Sequence, residues 1–237
     1  MVTAGPLGIL GRNGWFCLES DVETWPELAG WRGLRNPAVR SHFNNTFWAY
    51  GAVGDDCSRG WGPNPDLMTN LGLQYEFFCI GDQAAGDEIL SERLGKGLPT
   101  LFYLWEPHPF HKRFSLNRIQ LPVYKKAGFA LGETDYNSDI LFKVASAASQ
   151  KGLATVAPKV WQLLSRFVID RDDQETMLDM TKHGVAAMDA ACSWMEKNTV
   201  AWKAWQPDEG KHSPNVALRM PLRTDIARLT GSFRTIP

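Results

Sequence analysis

The sequence has no apolar run approaching the ~20 residues that a membrane-spanning helix needs, so it carries no signal of an α-helical membrane protein. Net charge is nearly absent as well: 25 Lys and Arg face 26 Asp and Glu, a formal −1. No global field therefore draws the chain to nucleic acid or to an anionic lipid surface, any such contact would have to be local, and nucleic acid is not expected as a partner. The opening residues, MVTAGPLGILGRNGW, lack the charged start and apolar centre of a secretory leader. Cysteine is sparse, with Cys17, Cys57, Cys79 and Cys192 widely scattered and no C-x-x-C pair to suggest zinc or a redox motif. Buried free thiols are the first expectation, with a single bridge left open. Also missing are a G-x-S-x-G elbow, H-E-x-x-H, a Walker loop and G-x-G-x-x-G, and the carboxylates form no acid–base pattern. The expectation is a protein that is not an enzyme and uses no cofactor or metal.

What the chain does have is tryptophan, ten in 237 residues. A buried indole wants a partner for its N–H, and its face is the best aromatic surface for a cation. So many tryptophans fit either a shared apolar core or a cation-binding wall. The 44% hydrophobic and 22% charged shares are those of a folded chain of one or two domains.

The pattern along the chain is α/β. LGILGRNGWFC predicts a short strand running into a turn at Gly11 to Trp15, and DVETWPELAGWRGLRNPAV a short helix. The glycines and prolines of YGAVGDDCSRGWGPNPDLM mark a surface loop. From Leu73 onward, LQYEFFCIG, a helix with Ile89, Leu90 and Leu94 inward, and PTLFYLW make a strand, helix, strand unit, most simply a parallel crossover. RIQLPVY and ILFKVAS are further strands. The last third reads as core-building helices, with Val160, Leu163, Leu164, Phe167 and Val168 on one face and Val185, Met188, Ala191, Cys192 and Met195 on another. Beyond Pro207 the pattern stops, and 208–237 reads as a basic arm, mobile or laid on a partner.

The crossover puts Trp105-Glu106-Pro107-His108 just past the carboxyl end of a strand, where open α/β sheets hold ligands. Pro107 and Pro109 break helical geometry, so His108 and His111 do not form a metal pair. The residues alone leave two readings open: Trp105 and His108 as packed core, or as a wall holding a quaternary ammonium group by cation–π attraction.

LFYLWEPHPFH, the following RIQLPVY, the helix P-x-V-W-x-L-L-x-R-F and the closing W-M-x-x-N-x-x-x-W-x-x-W-x-P resemble the carboxyl-terminal part of substrate-binding proteins of ABC transporters for glycine betaine, proline betaine and choline, over residues 72 to 207. The resemblance implies a two-lobed α/β fold of the type II periplasmic-binding-protein kind, with one lobe incomplete and an aromatic box between the lobes. It divides the chain into a lobe over 1–98, a second lobe over 99–207 and the tail 208–237. It assigns Trp105 to the cage and His108 to the ligand carboxylate, with Trp15 as an aromatic from the other lobe. Tyr103 joins them because strand alternation puts it on the face of Trp105. Trp194, Trp202 and Trp205 match a structural end helix. The implied function is uptake of a betaine- or choline-like solute outside the cytoplasm, with a transporter as protein partner. The alternative is a structural subunit of a larger assembly that has kept the fold and lost the pocket.

Overall fold

The computed structural model describes residues 2–51, 57 and 65–207. The expected loop between Tyr50 and Met68 falls mostly outside them, and the basic arm 208–237 lies wholly outside. The strands are β1 (Val2–Leu18), β2 (Thr46–Ala49), β3 (Glu76–Cys79), β4 (Leu101–Glu106), β5 (Leu116–Arg118) and β6 (Ser138–Ala145). They form one sheet in the order β3-β2-β4-β1-β5, with β6 also paired to β1. The sheet crosses the expected 98/99 boundary, because β4 lies between β2 and β1.

The helices are α1 (Glu19–Thr24), α2 (Pro37–His42), α3 (Pro65–Asn70), α4 (Gln83–Gly95), α5 (Phe110–Arg113), α6 (Lys126–Ala130), α7 (Ala147–Val156), α8 (Pro158–Arg166), α9 (Arg171–Lys182), α10 (Ala187–Lys197) and α11 (Thr199–Lys203). The one helix expected near residue 21 is instead α1, two short 3-10 turns and α2. Pro26 and Pro37 stop each segment and open the next, as a residue without N–H does at a first turn. α4 joins β3 to β4, both parallel to β2, so the expected crossover is present with β2 between its strands. Leu90 and Leu94 of α4 are buried against the sheet with Phe47, Leu101, Phe102 and Leu104.

β1 corrects the expected turn at Gly11 to Trp15. The strand continues through that stretch because it is paired on both edges, with β4 opposite residues 12–16 and β6 and β5 on the other side. From Val2 to Gly11 β6 is the only described strand paired with it, as a two-stranded ribbon, and the Ile169 N–H donates to the Leu7 carbonyl. Thr3/Val144, Pro6/Phe142 and Leu10/Ile140 are opposed pairs and so share a face. That face is bare: Ile140, Phe142 and Val144 are 50, 52 and 59% exposed. The opposite face is covered, with Lys143 donating to the Ser165 and Phe167 carbonyls and Ala4 and Ile9 buried.

The terminal helices build less core than their periodicity implies. α8 buries no residue, and Val160 and Leu163 are half exposed. In α10 the inward residues are Ala190 and Trp194 rather than Met188, Cys192 and Met195. The reason is aromatic area: Trp194 stacks on Trp205 at 5.4 Å and Phe167 meets Trp205 edge-on at 4.5 Å, outweighing two thioethers. Cysteine usage also departs from expectation, since Cys57 and Cys79 form a disulfide across a sequence separation of 22. Cys17 stays a free buried thiol, pushed up to about 12 by burial and by Asp21, and Cys192 is free and exposed. Among the described residues no helix is long and apolar enough to cross a membrane.

Candidate solute-binding site

Parallel strands deliver their carboxyl ends to the same edge of a sheet. Here the ends of β2, β3 and β4 place Tyr50 and Gly51, Gly81 to Gln83, and Trp105 to Pro107 around a cavity of about 850 Å³. Gly11 to Asn13 of β1 and Asp139 and Leu141 of β6 complete its lining.

Three aromatic rings form one wall. Tyr50 lies 5.0 Å from Trp105 and Tyr103 lies 6.3 Å from it, centroid to centroid. Both phenols are oriented by hydrogen bonds: Tyr50 donates to Asp87 Oδ1 at 3.0 Å, and Tyr103 donates to Asn13 Oδ1 at 2.6 Å. Burial pushes both hydroxyls well above their ordinary range, with Asp87 adding to the shift at Tyr50 and Tyr136 to that at Tyr103. They stay protonated and keep donating. Gly86 of α4 lies behind Tyr50, and a Cβ there would stand 2.6 Å from the ring. Gly51 and Gly81 exchange two backbone hydrogen bonds of 2.8 Å. Gly81 does so at φ +88, a conformation that favours glycine.

The residues singled out from the sequence divide in two. Trp105 and Tyr103 line the cavity. Trp15 is fully buried in the core, donates from Nε1 to the Tyr136 hydroxyl at 3.1 Å and packs edge-on to Phe47. It is opposed to Tyr103 and shares its face, but that part of the face is covered by the core, so Trp15 does not reach the cavity. His108 is 1% exposed and lies behind Trp105, ring to ring at 5.1 Å. Its Nδ1 accepts the Phe110 N–H at 3.3 Å, which puts its proton on Nε2. Nε2 stands 3.3 Å from Asp87 Oδ1, close enough for attraction though not aligned as a full hydrogen bond. His108 therefore braces the wall from behind rather than facing the cavity. The Glu106–Pro107 peptide between Trp105 and His108 is cis.

Tyr50, Asp82 and Asp139 are cavity residues that sequence reasoning missed. Tyr50 ends an apolar strand, T-F-W-A, a signal comparable to that of β4, but its glycine-rich sequel reads as plain loop. No local pattern brings Asp139 there; it arrives only through the pairing of Gly11 with Asp139.

Residues 1–197 match the family described as the substrate-binding domain of ABC-type glycine betaine transport systems. The chain belongs to that family. Among solved structures, the chain is similar to lactococcal OpuAC in its closed-liganded conformation complexed with glycine betaine. The TM-score is 0.52 and the identity 16%, over 86% of this chain and 70% of that one. It is also similar to the glycine/betaine/L-proline-binding protein ProX of Borrelia burgdorferi, with TM-score 0.51, identity 16%, and 87% and 70% of the two chains covered. No curated protein sequence matches the chain. The fold is thus that of two-lobed periplasmic binding proteins, and the chain spans about 70% of the length of these two neighbours. The family is one of binding domains rather than catalysts, and neither it nor the structural neighbours support the alternative of a structural subunit.

Proposed function

We propose that this chain captures a small quaternary ammonium solute of the glycine betaine or choline kind, without chemistry, and delivers it to an ABC-type transporter. The observation that carries the reading is the wall of Tyr50, Tyr103 and Trp105 around a cavity at the carboxyl ends of parallel strands. A quaternary ammonium has no N–H to donate, so aromatic faces and dispersion are what can hold it. The family match and the names of the structural neighbours support the solute class. The Cys57–Cys79 bridge supports a compartment outside the cytoplasm, where such bonds persist.

Calorimetric titration of the folded chain with glycine betaine and with choline, to millimolar concentration, tests the proposal. Saturable heat is expected with at least one of them, and Trp105→Ala is expected to abolish it while circular dichroism and the melting transition persist. Flat traces for both solutes with folded wild-type protein would overturn the reading.

A further inference from the structure

β6 (Ser138–Ala145) is an edge strand. It pairs with β1 alone, and among the described residues no backbone hydrogen bond reaches it from any other segment. An edge offers its unpaired N–H and C=O groups to another chain unless proline, a bulge or a short length guards it. β6 is eight residues long and contains no proline. The irregularities of its pairing lie on β1, which takes seven steps from Thr3 to Leu10 while β6 takes four from Val144 to Ile140. β6 itself therefore runs regular, with Ile140, Phe142 and Val144 exposed on its bare face.

The other face of β6 holds its charges, since Asp139, Leu141 and Lys143 alternate with the apolar residues. Lys143 is buried, and its Nζ donates to the Ser165 and Phe167 carbonyls. Among the described residues no carboxylate forms an ion pair with it. A buried ammonium without a counter-charge costs stability. Antiparallel pairing of two β6 strands about a two-fold axis at Leu141 supplies one. Asp139 of each copy then lies opposite the partner's Lys143, Ile140 opposite the partner's Phe142, and Ser138 opposite the partner's Val144. Centred instead on Asp139 or on Lys143, the same pairing sets like charges against each other, which destabilises a sheet. The charge order along β6 thus fits its own antiparallel copy in the register centred on Leu141.

We propose that β6 is a dimerisation edge, through which two copies of this chain join their sheets with Leu141 on the two-fold axis and Asp139 facing the partner's Lys143 on either side of it. The dimer needs no solute and stands or falls separately from the binding function.

The experiment is light scattering and thiol crosslinking of the full chain in a Cys192→Ser background, which removes the exposed free thiol. The chain is expected to form a dimer whose dissociation constant rises about 10-fold or more in Asp139→Lys and with added salt. Directly opposed residues sit ~4.5–5.5 Å apart at Cα, within the reach of a disulfide. Leu141→Cys is therefore expected to link to its own copy under mild oxidation. Val144→Cys, far from its own copy in this register, is not. A monomer at every concentration would overturn the proposal, as would equal crosslinking at the two positions. A dimer indifferent to Asp139→Lys and to salt would overturn the charge pairing that selects the register. Should Leu141→Cys fail to fold, Asp139→Lys and the salt series decide.

Discussion

Asp87, on α4 beneath the cavity, meets three groups: the Tyr50 hydroxyl at 3.0 Å, Lys182 Nζ at 2.8 Å and His108 Nε2 at 3.3 Å. Burial alone would raise its pKa; the contacts from His108, Lys182 and Tyr50 outweigh burial and hold it below the ordinary carboxylate range. Asp87→Ala leaves the Tyr50 hydroxyl and Lys182 without their acceptor and removes the carboxylate beside His108, and is expected to cost about 3 kcal/mol in denaturant unfolding. It is also expected to weaken solute binding, because the Tyr50 ring loses its orientation. A carboxyl held below its ordinary range contributes stability that is present above that range and lost as pH falls through the folded value. Glu175 runs the opposite way. It is buried, which raises its pKa, with Glu106 adding to the shift and Arg171 and the His108 N–H opposing it. Its penalty is absent in acid and grows as pH rises from the ordinary range through the raised value. Glu175→Gln keeps an oxygen for the His108 N–H and has no charge to bury. The variant should melt higher than wild type at neutral pH, with the gap closing toward acid; a variant that melts lower at neutral pH would contradict this.

Elements differ in how much of them could be read before folding. The crossover from β3 through α4 to β4 was legible because its signals are local: apolar runs, an Asp82 cap and a glycine past the helix end. β1 was not, since two glycines weaken a strand on paper and only its partners on both edges keep it straight. That difference decided the candidate residues. Trp15 and Trp105 are both tryptophans on strands, and one goes to core and the other to cavity according to which part of the face is covered. His108 was legible as a neighbour of Trp105, but its burial depends on α9, more than 60 positions away, whose Glu175 accepts from its backbone N–H. The Cys57–Cys79 bridge was open in the sequence for the same reason. It ties Cys57 to the end of β3, two residues before Gly81 of the cavity wall. Replacing both cysteines with serine is expected to lower stability by about 3 kcal/mol, as opening a loop of this size should. Solute affinity should fall in parallel, and melting curves of wild type with and without reductant should reproduce the stability difference.

At the scale of the molecule, the described residues leave an apolar strip uncovered on the ribbon: Ile140, Phe142 and Val144, with Pro6 and Leu10 opposite. A strip of this kind on a two-stranded ribbon is an association hazard. Size-exclusion chromatography with light scattering should find concentration-dependent self-association of the chain, reduced in Phe142→Lys/Val144→Lys with titration heats unchanged; a wild-type monomer at all concentrations would count against it. The strip lies on β1 and β6, and the same two strands carry Gly11 to Asn13, Asp139 and Leu141 into the cavity lining. The two surfaces are thus opposite sides of one thin ribbon, with no intervening layer to absorb a shift. Reciprocity then fixes the bookkeeping between them: if covering the strip tightens the hold on a solute by some factor, the solute must tighten the hold on the cover by that same factor.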